Sequence, residues 1–153
     1  MSKSLIFALG ALCATCYLGI APAEEQAVAD APGIANSDVE AVRLLKTQTS
    51  WDGKSIAYPK GAAEVTGLLI EIEPGGETGW HSHHAPSFAM LLEGELEVQL
   101  QDGRVRKFNA GDAFAEVVNT PHNGQNVGDV PVKIVVFYAG AKGQALTVRE
   151  SAR

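Results

Sequence analysis

All four histidines of the 153-residue chain fall in two windows, residues 75 to 94 (GGETGWHSHHAPSFAMLLEG) and 111 to 126 (GDAFAEVVNTPHNGQN). In an extended strand alternate side chains share a face. His81 and His83, two apart, therefore point the same way. His84 points the other way, toward a rim or the surface. His122 joins the first pair if a later strand folds back alongside. Three imidazoles converging from two strands make a site for a first-row metal. The rest of the chain must then be a scaffold that brings distant strands together.

The patterning predicts such a scaffold. Val65 to Glu73 alternates, with Leu68, Ile70 and Ile72 on one face and Glu71 and Glu73 on the other. Glu95 to Gln101 repeats the pattern, with Leu96, Val98 and Leu100 inward. Asp102-Gly103 is a two-residue hairpin turn leading to a return strand, Arg104 to Phe108. Asn109 to Asp112 is a further turn. Ala113 to Val118, His122 to Val127 and Val132 to Tyr138 complete the strands, the last β-branched, apolar and buried. Sixteen glycines suit an all-β chain with many tight turns. Short strands with regular turn signals predict a sandwich or barrel. Val39 to Thr49 reads either as a helical stripe (Val39, Val42, Leu45) or as a strand (Val42, Leu44, Thr47, Thr49); the β character of the later chain favours the strand. Phe88, Met90, Phe114 and Phe137 read as core.

Charge and the N-terminus narrow the setting. The formal net charge is -6, which argues against nucleic acid or an anionic membrane surface as the main partner. Residues 1–23 have the features of a secretory signal: Lys3, an uncharged apolar run from Leu5 to Ile20, and Ala21-Pro22-Ala23 before Glu24-Glu25. Cleavage after Ala23 removes both cysteines, Cys13 and Cys16, and leaves a chain with no disulfide and no membrane segment. The expected location is periplasmic or secreted. Residues 24–37 read as a flexible lead-in, and residues 38–153 as one domain.

The two windows resemble the motifs of the cupin superfamily. Gly75, His81, His83 and Gly94 fall on the spacing of the first cupin motif. Gly111, His122 and Asn126 fall on that of the second. The resemblance covers roughly residues 64–138. It implies a double-stranded β-helix, or jelly-roll, barrel. It also implies that His81, His83 and His122 ligate one divalent transition metal, with iron(II) first and manganese, nickel, copper or zinc next. A homodimer is a further expectation from the resemblance.

Two departures bear on the site. The glutamate expected in the first motif is replaced by Ser87 (Phe88 on the longer spacing), and the proline and glycine of the second by Val117 and Asn119. Glu116 is the carboxylate on a motif strand that could complete the ligand set. Its strand parity leaves it facing either the cavity, with Phe114, or solvent. Ser87, Gln125 and Asn126 are candidates to support the ligands or touch a substrate. Trp80 either closes the mouth or packs outside. By resemblance the function is that of a metal-dependent dioxygenase on a small organic molecule. The alternative is a non-catalytic periplasmic cupin that binds a metal or small ligand.

Overall fold

The computed structural model describes residues 38–150, so the signal segment 1–23 and the lead-in 24–37 lie outside the described residues. The chain divides into two compact units, Met1–Val42 and Arg43–Arg153. The described part of the first, residues 38–42, is exposed. The second carries nine strands and, among the described residues, no helix: β1 (Ala63–Ile72), β2 (His81–Ser82), β3 (Ser87–Glu93), β4 (Glu95–Leu100), β5 (Val105–Asn109), β6 (Ala113–Ala115), β7 (His122–Asn126), β8 (Val132–Ala141) and β9 (Val148–Arg149).

The strands form two sheets, β1-β8-β3-β6 and β5-β4-β7-β2-β9, with every pairing antiparallel. This is the all-β architecture that the alternation and turns predicted, in the jelly-roll form that the resemblance implied. Leu96, Val98 and Leu100 of β4 turn inward as expected, each at most 6% exposed. Leu96 and Val98 join Leu91, Ile134 and Val136 of the opposite sheet in one core cluster. Each such side chain contributes roughly 1.5–3 kcal/mol by leaving water. Phe108 and Phe114 stack with centroids 3.6 Å apart, and Trp51 meets Phe108 edge-on.

Between β3 and β4, Gly94 has φ +84°. A Cβ there would come within 2.9 Å of the Pro131 carbonyl oxygen, so both the backbone sign and the space call for glycine.

Two expectations need correction. Val39 to Thr49 is not a strand; its sole pairing is an isolated bridge from Thr49 to Ser55. Leu44 and Leu45 instead both border an apolar hollow against Phe88, Met90 and Phe137, and neighbours in a strand would face opposite ways. Phe137 is not core: it is 52% exposed. The pleat turns Val136 and Tyr138 inward and sends Phe137 to the outer face of the sheet.

Candidate metal centre

His122 lies in β7, between two strands: its Cα partners are Leu100 of β4 and His81 of β2. That register sets His81 and His122 side by side, with ring centroids 4.3 Å apart. β2 ends at Ser82, so His83 lies just beyond it. Its ring still reaches the other two, at 4.9 Å from His81 and 5.0 Å from His122. One nitrogen from each of the three lies within 4.8 Å of the others, a group that could hold a metal ion. His84, expected on the opposite face, is exposed, with Nδ1 2.6 Å from Asn119 Oδ1.

The three rings are oriented by backbone carbonyls. His81 Nδ1 lies 2.7 Å from Gly79 O, His83 Nδ1 2.9 Å from Leu146 O, and His122 Nδ1 2.9 Å from Thr120 O. A carbonyl oxygen only accepts, so each Nδ1 carries the proton and donates. Nε2 of each ring is then the atom free to meet a cation. Metal-binding histidines are held in this way by outer hydrogen bonds. The donor set present therefore fits a metal ion.

Glu116 sits beyond the end of β6 and turns inward. Its Oε2 lies 3.2 Å from His83 Nε2 and accepts from Ser87 Oγ at 2.9 Å. Ser87 is fully buried and occupies the position where the resemblance expects a glutamate. The carboxylate thus reaches the site from the neighbouring strand, and the serine hydroxyl holds it. The Glu116 N–H donates to Ser87 O at 2.9 Å, which fixes the two side by side.

The electrostatics reflect burial and this pair. Burial pushes His122 down to about 4, against the pull of the Thr120 carbonyl. His81 is lowered chiefly by burial too. Burial would also lower His83, but the hydrogen bond and charge of Glu116 outweigh it and raise its proton affinity. Burial would raise Glu116, yet the hydrogen bond and charge of His83, with help from His122 and Ser87, hold it low. His83 and Glu116, 3.2 Å apart, thus each favour the charged form of the other. Burial first, and then the Glu116 charge, push the Tyr138 phenol up, so it stays a neutral donor.

The second departure is explained by the backbone. Asn119 has φ +52°, a left-handed conformation that asparagine tolerates better than most residues. It therefore takes the turn role of the motif's glycine. Its N–H donates to His83 O at 2.8 Å, tying the loop before His122 to the first histidine window.

The remaining candidates lie elsewhere. Asn126 is 1% exposed; its Nδ2 donates to Ile72 O and Val130 O, and its Oδ1 accepts from Gly128 N–H. It ties strand ends together rather than meeting the histidines. Gln125 is exposed, because parity along β7 turns His122 and Gly124 inward and Gln125 out. Trp80 is half-buried and does not line the cavity. Leu146, Trp51 and Tyr138 enter the site's surroundings without having been singled out in the sequence. Contacts so remote in the chain leave no periodic signal.

The histidines face a cavity of about 50 Å3. Its walls include Ile72, Val98, Phe114, Ile134 and Val136, so the site is polar at one side and apolar elsewhere.

Three histidines grouped at the cavity of a jelly-roll barrel could hold a metal ion. Residues 68–138 match the family model of the cupin domain, so the chain carries a cupin domain. Parts of several solved structures are similar to this chain. An oxalate decarboxylase from Lactobacillus farciminis superposes with TM-score 0.50 at 22% identity, over 56% of this chain and 26% of that one. The lyase DddQ from Ruegeria pomeroyi DSS-3, described as a DMSP lyase, gives 0.48 at 22% identity, over 56% and 42%. A sugar phosphate isomerase of the cupin superfamily from Silicibacter pomeroyi DSS-3 gives 0.43 at 25% identity, over 49% and 50%. The matched region is thus half or less of each of these chains. No curated protein matches the sequence.

Proposed function

We propose that this cupin holds one divalent transition metal through Nε2 of His81, His83 and His122, with Glu116 as a fourth ligand, and oxidises a small organic molecule with dioxygen. The observation that carries this reading is the orientation of all three imidazoles by carbonyls at Nδ1, with the Glu116 carboxylate against His83. Three nitrogens and one carboxylate suit iron(II) first, with manganese, nickel, copper and zinc as the other ions to test. Iron(II) held by these four residues would supply redox chemistry between dioxygen and a substrate.

The chain's own residues have separate tasks. Ser87 keeps the Glu116 carboxylate turned inward. The Gly79, Leu146 and Thr120 carbonyls hold the rings in one tautomer. The apolar wall of Phe114, Val98 and Ile134 excludes water from the reacting centre. Residues 1–23 support export to the periplasm, where the protein would work without a disulfide.

A specific observation also favours the non-catalytic reading: Ser87 stands where the first motif has its glutamate, which weakens the resemblance at the ligand set. The experiment that separates the two is oxygen uptake by iron(II)-reconstituted protein with a panel of small aromatic, thiol and enol compounds. Uptake that depends on both substrate and iron supports the oxygenase. Tight metal binding with no uptake across the panel supports the binding protein.

A further inference from the structure

The charge of the cavity wall narrows what the site can take, an inference that rests on the metal reading above. None of the residues lining the cavity is lysine or arginine. The fixed charge among them is the Glu116 carboxylate. Arg149 stands opposite His81 across β2 and β9, but it is exposed and outside the lining. The Thr78 hydroxyl is already bonded to Gly79 O and Asn123 Oδ1 and the Tyr138 phenol to Thr147, so among the described residues that line the cavity the neutral Trp51 indole is the donor left without a partner. Trp51 Nε1 is buried and, among the described residues, has no acceptor. A buried donor left unpaired is costly, and a ligand acceptor would relieve it.

A divalent ion, three neutral imidazoles and one carboxylate leave the site with a net +1. A neutral or singly charged ligand is matched there. A doubly charged ligand leaves uncompensated negative charge among apolar side chains, beside a carboxylate and with no cation to pair it.

We propose that the cavity selects small, apolar-bodied ligands that carry at most one negative charge and offer an acceptor, and that it rejects dianions such as dicarboxylates and phosphate esters. Selection comes from the wall rather than from the metal: any dianion that the free ion binds well is penalised inside the barrel.

The test compares two chelators of similar size, acetohydroxamate (one charge when bound) and oxalate (two). The protein is loaded with manganese(II), and metal content is measured first. Failure to load counts against the metal site itself. On loaded protein, calorimetry gives both affinities. Their ratio is set against the ratio for the free ion in water, which removes the ion's own preference. Acetohydroxamate should gain on oxalate by about tenfold or more over the free ion. Ile70→Lys adds a cation to the cavity wall on the edge strand β1, where the residue is half-buried. It should shift the ratio back toward oxalate by about tenfold. A ratio equal to that of the free ion would overturn the proposal, as would loaded protein that binds no acetohydroxamate.

Discussion

The two histidine windows hold their imidazoles by different means. His122 stands in a five-residue strand with a partner on each side, so the ladder places its backbone, and the Thr120 carbonyl two residues away orients its ring. His83 comes just after a strand of only two residues. Its ring is placed by the Leu146 carbonyl and by Glu116, and its backbone by the Asn119 N–H. One half of the site is thus held by register, and the other by contacts from remote segments. The first half should tolerate change around it better than the second.

The largest effect is expected where the two halves meet. His122→Ala and His83→Ala each remove a ligand. Each should weaken metal binding by about a hundredfold or more, read by titration against a competing chelator. Equal losses would mean that the mode of placement matters little once a ligand is gone.

Glu116→Gln should weaken metal binding by about 10–100-fold, because a neutral amide replaces a charge. A loss of less than about twofold would remove Glu116 from the ligand set. Its neighbour sharpens the comparison: Ser87→Ala should cost only several-fold, as the carboxylate loses one of its two holds.

Acid should unfold the metal-free protein through the register-held half. Below its ordinary 6.5, His122 takes up a proton in the unfolded chain but not in the fold until about pH 4. Stability should therefore fall as pH drops across that window, by about 3 kcal/mol at most for this residue. His83, raised by Glu116, binds its proton in the fold and offsets part of the loss. Thermal melts of wild type and His122→Phe from pH 7 to 4 measure the difference; parallel curves would contradict the assignment.

The smallest effects belong to the loop and the outer face. Asn119→Ala should cost about 1 kcal/mol from its left-handed backbone, and Asn119→Gly much less. Gln125→Ala should leave metal affinity unchanged, since that side chain faces solvent.

The sequence carried the barrel and the three histidines for one physical reason: both depend on period-two alternation. Leu96, Val98 and Leu100 declare their face, and His81 and His83 keep theirs even though the strand stops between them. Glu116 could be singled out as the candidate carboxylate, but its facing was not legible, because β6 ends at Ala115 and parity stops constraining the next residue. The missing carboxylate at Ser87 could be read; its replacement from the adjacent strand depends on the pairing of Phe88 with Ala115, which no local pattern records. The stretch from Val39 to Thr49 had the composition of a strand, yet it joins no ladder.

The most direct test is elemental analysis of the untagged protein, beside His122→Ala prepared in the same way. The account predicts about one equivalent of a transition metal per chain in the wild type, or after reconstitution with iron(II), and almost none in the variant. A wild type that takes up no metal, or a variant that retains a full equivalent, would contradict it.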